Sequence, residues 1–494
     1  MRSLLIGGLR LALLLAALWS GPAAALERLP ALAIDPGQTT VSGISSGAYM
    51  AVQLHVAYSR DIAGVGAFAG GPFWCAEGDL DRARFSCMEG EPDAARSVRV
   101  TREWAQAGRI DPVANLQRAR VWLFSGYNDG VVRRPVTDAL ARYYREFLPD
   151  GAVFYQNALP AGHAQVTLDH GAGCRVTGGE FIVDCDYDGA GQLLQFLYGA
   201  LRPGRPGALE GTLRTFDQAE FVDGSLRAAG MAREGYVFVP AACARGQRCR
   251  VHVAFHGCQQ HADRIGDAFV RNAGYNRWAD ANGIVVLYPQ TVATWSFPFN
   301  PKGCWDWWGF TGDDYATRDG VQVRAIRRML ERLAAGGGAA SAQPEPPARL
   351  TVHADASVTA AAIAWSAVPG ADGYAVLRSR PGEPAAKITP TPFAGLSFAD
   401  DGLAPAGDYR YEVVAVDDGQ PVARESVAVR TWPTPPPCDP FFSDNVTHVS
   451  RDRAYVRWGL TYARGSGDAM GWWNVLVDTA LRREDGDYRV GVCR

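Results

Sequence analysis

An α/β domain followed by a small β-sandwich and a small disulfide-closed terminal module is the architecture this sequence predicts, and three observations carry the prediction. Apolar runs without alternation, such as VWLF at 121–124 and IVVLY at 284–288, recur between helical patterns up to residue 334. Buried parallel strands read this way. Residues 335–348, AGGGAASAQPEPPA, lack any large apolar side chain and read as a linker. Beyond them, short alternating runs (AAIAWSAV, GYAVLRS, YRYEVVAV) are separated by turn residues, as in an antiparallel sandwich.

Taken in order, residues 1–25 read as an export signal. Arg2 and Arg10 precede or flank the apolar run Leu11–Trp19, and Pro22-Ala23-Ala24-Ala25 offers a small-residue cleavage site. The apolar run is too short for a bilayer span, and no later stretch is long enough. Residues 26–334 form the α/β domain. Strands are expected at Thr39–Ile44, Val65–Phe68, Val121–Ser125, Val153–Gln156, Tyr236–Val239, Arg250–Phe255 and Ile284–Tyr288. Helices are expected at Tyr49–Tyr58, Leu193–Leu201, Gly274–Ala281 and Val321–Leu333. The linker 335–348 leads to a sandwich over 349–431, with Trp365 as its core tryptophan. Residues 432–437 are a stiff proline-rich spacer. Residues 438–494 form a terminal module holding Trp458, Trp472 and Trp473. The tryptophans are expected to fill its core; a contact face for an apolar surface is the alternative.

The charge balance is near zero, with a formal net charge of -3, so no field is strong enough to hold nucleic acid. Export lets the 10 cysteines pair. Sequence distance suggests Cys75–Cys87, Cys174–Cys185, Cys243–Cys249, Cys258–Cys304 and Cys438–Cys493. No CxxC or HExxH occurs, so neither a metal nor another cofactor is expected.

The strongest chemical signal is Gly43-Ile44-Ser45-Ser46-Gly47, set between a strand and a helix. A nucleophile elbow belongs there, as in an α/β-hydrolase fold. Flanking glycines permit the sharp turn that exposes the Ser45 hydroxyl. A serine needs a base and the base needs a carboxylate. His163 follows the Val153–Gln156 strand, with His170 as the nearest rival among 8 histidines. Asp129 follows the Val121–Ser125 strand, and Asp138, on a later helical stretch, is the weaker choice. The loop that completes an oxyanion hole normally precedes the nucleophile. Here it comes late, as VHVAFHGCQQ, so the domain reads as circularly permuted. The expected donors are the amides of Ser46 and Cys258, with His256 structural. Aromatics crowd TVATWSFPFNPKGCWDWWGF, and Trp295, Trp305, Trp307 and Trp308 are expected to line a subsite for an apolar ester chain.

The stretches VSGISSGAYMAVQ, FHGCQQ, GDAFVRNAGYNRWADANGIVVLYPQ and NPKGCWDWWGFTG resemble secreted poly(3-hydroxybutyrate) depolymerases of the circularly permuted kind, over roughly residues 30–334. LAPAGDYRYEVVAV, with Tyr409, resembles the tyrosine corner of a fibronectin type III module. The resemblance implies hydrolysis of short-chain polyhydroxyalkanoates to monomers and short oligomers by Ser45, His163 and Asp129. It also implies a polyester partner, and a looser likeness of the tail implies polymer contact there; with modules joined by linkers, a secreted monomer is expected. A secreted carboxylesterase for small or plant-wall esters is the alternative reading, and a non-catalytic polymer-binding protein is the third.

Overall fold

The computed structural model describes residues 26–204, 207–337, 349–390 and 393–493. The expected export signal lies outside them, as do residues 338–348 of the expected linker. Eight strands form one mixed sheet. They are β1 (Ile34–Ile44), β2 (Ile62–Phe68), β3 (Arg120–Phe124), β4 (Val153–Gln156), β5 (Thr212–Asp217), β6 (Glu234–Val239), β7 (Cys249–Phe255) and β8 (Ile284–Tyr288). The spatial order is β4-β3-β2-β1-β7-β8-β6-β5. The first six in that order run parallel, and β6 and β5 close one edge antiparallel. The central strands are buried on both faces, which is why their sequences do not alternate.

Helices cover both faces of the sheet. They are α1 (Ser46–Ala57), α2 (Ala94–Gln106), α3 (Arg134–Arg145), α4 (Gly189–Tyr198), α5 (Tyr275–Asn282) and α6 (Val321–Ala334). Helix α1 follows the central strand directly and is buried along its whole length. It therefore shows no polar stripe, and its sequence reads as apolar all round. Helix α4 stops three residues short of the expected Leu201. Gly199 takes φ 88°, and a left-handed residue ends a helix. The strand β5 and the helix α2 went unread: their apolar positions are sparse and mixed with arginine and threonine.

Residues 352–430 build two facing sheets, of three and four strands, around Trp365, Tyr411 and Val413. This body docks on the α/β domain. Ser397 Oγ donates to Phe196 O at 2.8 Å, Ala399 N to Gly151 O at 2.8 Å and Gln156 Nε2 to Ala356 O at 2.6 Å. Residues 439–490 form two three-stranded sheets and a short helix, tied by the Cys438–Cys493 disulfide. Their small core is Phe441, Ala454, Ala463, Met470 and Leu481. The expectation of a tryptophan-filled core is overturned: Trp458 is 87%, Trp472 64% and Trp473 50% exposed. Medium-sized apolar side chains and the disulfide suffice to close so small a body.

Candidate active site

Strand β1 delivers Ser45 to the carboxyl edge of the parallel strands, where sites collect in α/β sheets. Ser45 takes φ 56° and ψ -124°, a conformation an L-residue adopts only under constraint. Its amide donates to Phe68 O at 2.9 Å, and its carbonyl accepts the first bonds of α1 from Ala48 and Tyr49. The flanking glycines are required by contact. A Cβ at Gly43 would stand 2.3 Å from Gly47 O, and one at Gly47 would stand 2.4 Å from His256 O. The elbow is thus pressed against the end of β7.

Asp129 and His163 come from the loops after β3 and β4. These loops are laced together: Tyr127 N donates to Leu159 O at 2.9 Å, Asn128 N to Ala161 O at 3.1 Å and Asn128 Nδ2 to Pro160 O at 2.9 Å. Asp129 Oδ1 accepts from the amides of Val131 and Val132, each at 2.9 Å. Its other oxygen, Oδ2, lies 2.8 Å from His163 Nδ1. Both side chains are buried, so the bond is shielded from water. With Nδ1 held by a carboxylate, the Nε2 of His163 is left as the basic nitrogen. The rivals sit elsewhere. His170 is half-exposed beside Glu180, and Asp138 lies on α3 with Tyr155 and Arg134, its pKa raised by burial.

The loop after β7 brings His256-Gly257-Cys258 to the elbow. A Cβ at Gly257 would stand 3.4 Å from Ser45 Cβ. His256 is buried, and burial lowers its pKa to about 3, so it is neutral. Its Nδ1 lies 2.7 Å from Gly257 O, and its Nε2 accepts from Thr291 N at 3.3 Å. A disulfide joins Cys258 to Cys304, Cα to Cα 4.2 Å. Gln260 was not foreseen as a site residue. Its Oε1 accepts from Gly257 N at 2.7 Å, and its Nε2 donates to Glu180 O and Phe181 O. It ties this loop to the segment beyond His163. Two glutamines directly after the cysteine in FHGCQQ were the only sequence signal for it.

The aromatic wall expected from Trp295, Trp305, Trp307 and Trp308 is not one surface. Trp305 is fully buried, edge-on to Phe255 at 5.0 Å, and its amide donates to Ser46 Oγ at 3.4 Å. Trp307 is buried and stacks on Tyr49 at 4.2 Å. Both are packing beneath the elbow. The residues between them and around them are held by a buried carboxylate, Asp306, which accepts from the amides of Gly309, Phe310 and Thr311. Trp308 is partly exposed beside Trp307, whereas Trp295 is 78% exposed and stands with exposed Phe297 and Phe299. Among the described residues, no cluster of His, Cys, Asp and Glu is arranged to hold a metal ion.

No family model matches the chain. Known proteins do. A poly(3-hydroxybutyrate) depolymerase of Delftia acidovorans is 42% identical over 488 residues, covering 96% of each chain. A polyhydroxybutyrate depolymerase of Talaromyces funiculosus is 38% identical over 326 residues, covering 63% of this chain and 94% of its own. The crystal structure of a PHB depolymerase from Penicillium funiculosum superposes with a TM-score of 0.59 at 37% identity, over 63% of this chain and 100% of that one. A PHB depolymerase complexed with an R3HB trimer gives the same score at 36% identity, over the same shares. A relative 42% identical over 96% of its length shows the family: the chain belongs to the poly(3-hydroxybutyrate) depolymerases.

Proposed function

We propose that Ser45, His163 and Asp129 carry the hydrolysis, with the amides of Ser46 and Cys258 as the oxyanion hole. The chain is a serine-hydrolase-type depolymerase acting on polyhydroxyalkanoate esters. The observation that carries the residue assignment is the buried 2.8 Å bond between Asp129 Oδ2 and His163 Nδ1, taken with a serine held on a strained elbow at the end of β1. His163 takes the Ser45 proton as the hydroxyl attacks the ester carbonyl. Asp129 stabilises the imidazolium. His163 returns that proton to the leaving alcohol, and the neutral imidazole then takes a proton from water, which attacks the acyl-enzyme and releases the hydroxy acid. Among the described residues the Ser46 and Cys258 amides have no acceptor, while the Gly257 amide is taken by Gln260. That leaves two donors unspent near the elbow, as an oxyanion hole requires.

Residues 26–334 act as a circularly permuted catalytic domain. In support, β7 lies beside β1, with β8 next to it, although both follow it late in the chain, and the two ends of the domain meet where Leu32 N donates to Leu333 O at 2.7 Å. Residues 349–431 act as a fibronectin type III-like spacer; Tyr409 Oη accepts from Ala404 N at 2.8 Å, as a tyrosine corner would. Residues 438–494 contact polymer through exposed Trp458, Trp472, Trp473 and Leu476, and Trp295 and Trp308 contact the chain near the site. The 1–25 segment directs export, and the enzyme works as a monomer.

The test compares acid release from amorphous poly(3-hydroxybutyrate) with hydrolysis of p-nitrophenyl butyrate and a feruloyl ester. Ser45→Ala is expected to abolish all ester cleavage; retained activity refutes the nucleophile. Cleavage of small esters without polymer release would move the function to a general secreted esterase.

A further inference from the structure

The C-terminal body does not hang free of the site. Its first strand, Asp439–Asp444, lies across the loop that follows Asp129. Phe442 N donates to Gly130 O at 2.9 Å. The contact is so close that a Cβ at Gly130 would stand 2.5 Å from Phe441 C and 2.6 Å from Phe442 N. Only glycine fits between the carboxylate residue and this strand.

The neighbouring side chains lock the contact. Phe441 is buried between two guanidinium groups, Arg133 at 4.3 Å and Arg453 at 4.6 Å. Such desolvated cation–π pairs are stronger than exposed ones. Arg133 belongs to the Asp129 loop, donates to Glu89 O at 3.2 Å and pairs with Asp439 at 3.1 Å. Arg453 belongs to the C-terminal body and forms a buried ion pair with Glu89. Segment 85–89 is itself anchored by the Cys75–Cys87 disulfide. On its inner side, the same loop feeds Val131 and Val132 amides to Asp129 Oδ1. The loop is therefore held from both sides, by the carboxylate within and by the C-terminal strand without.

We propose that the C-terminal body is a buttress of the active site, with Phe441 as the positioning residue that fixes the Asp129 loop against His163. This rests on the triad reading above. It gives the tail a duty separate from polymer contact, and that duty is visible on a soluble substrate that needs no adsorption. Misplacement of a catalytic group by a fraction of an ångström lowers the rate of the chemical step before it weakens binding.

The experiment measures kcat and KM for p-nitrophenyl butyrate, together with the labelling rate of Ser45 by an organophosphate. Phe441→Ala is expected to lower kcat and the labelling rate about tenfold with KM within about twofold. Phe441→Tyr, which keeps a ring between the guanidiniums, is expected to restore both. Asp439→Asn is a milder change at a half-exposed pair and keeps the fold; it is expected to lower kcat about threefold. Wild-type kcat and labelling in both Phe441→Ala and Asp439→Asn would overturn the buttress and leave the triad standing. A wild-type protein that the probe does not label at Ser45 would instead overturn the triad, and the buttress with it. A rise in KM at unchanged kcat would also overturn the proposal, since it would assign the strand to substrate binding.

Discussion

At the scale of single residues, the site depends on atoms placed within a few ångströms by contact rather than by charge alone. Gly47 meets the end of β7 so closely that any side chain must push the His256 loop away. Gly47→Ala is expected to cost about 1–3 kcal/mol of stability, as overpacking does, and to lower kcat further by displacing the Cys258 amide. Denaturant melts and ester kinetics on the same preparation check both parts. Asp129→Asn keeps the shape of the loop but loses the carboxylate that holds the His163 tautomer. It is expected to lower kcat by about 10⁴-fold, with the effect read on p-nitrophenyl butyrate. A loss of tenfold or less would place the orienting carboxylate elsewhere. Ser45, His163 and Asp129 were selectable from motif and loop position in the sequence. Gln260 was not, because its duty is to two carbonyls of a segment some 80 residues away, at Glu180 and Phe181.

At the scale of elements, the loop between β8 and α6 is fastened to the loop after β7 by the Cys258–Cys304 disulfide, whose sequence separation is 46. A loop of that length implies about 4 kcal/mol of stabilisation through the unfolded chain. The paired substitution Cys258→Ser with Cys304→Ser is therefore expected to lower the melting temperature. It is also expected to lower kcat on a soluble ester at temperatures where the protein remains folded, because the Cys258 loop loses its anchor. Unchanged kcat below the transition would show that the disulfide serves stability alone. The same element explains why the aromatic run misled the sequence reading. A tryptophan-rich loop beside a serine suits a substrate wall, yet Trp305 and Trp307 are spent on packing under α1, as their contacts with Phe255 and Tyr49 show.

At the scale of the whole molecule, one buried carboxyl at the junction between the sandwich and the α/β domain couples docking to pH. Asp355 accepts from Tyr187 Oη at 2.5 Å, and burial raises its pKa to about 7 despite that bond. An unfolded aspartate titrates near about 3.9. Between these values the folded chain binds more protons than the unfolded one, so this group's contribution is fully present below about pH 4 and is lost as pH rises to about 7. Asp355→Asn is expected to flatten that part of the profile, raising the melting temperature at pH 8 relative to wild type. Melts from pH 4 to 8 on both proteins check it; parallel curves would refute the coupling. The exposed tryptophans of the C-terminal body give a second expectation. Trp472→Ala with Trp473→Ala is expected to weaken adsorption to polymer granules and leave soluble ester hydrolysis unchanged, measured by depletion of protein from a granule suspension.

Several features were legible in the sequence because they are local. The parallel strands of the α/β domain show as unalternating apolar runs, the elbow as glycines around Ser45, and the sandwich over 349–431 as period-two patterns between turns. Each of these is enforced by steric and burial demands on neighbouring residues. What only the tertiary structure decided is how distant segments meet. It set Asp129 Oδ2 against His163 Nδ1, spent Gln260 on the Gly257 loop, turned the tail's tryptophans outward and laid Phe441 and Phe442 across Gly130. The reason is physical: a residue's type states what it can bond to or bury, but which partner fills that capacity depends on the packing of elements far apart in the chain.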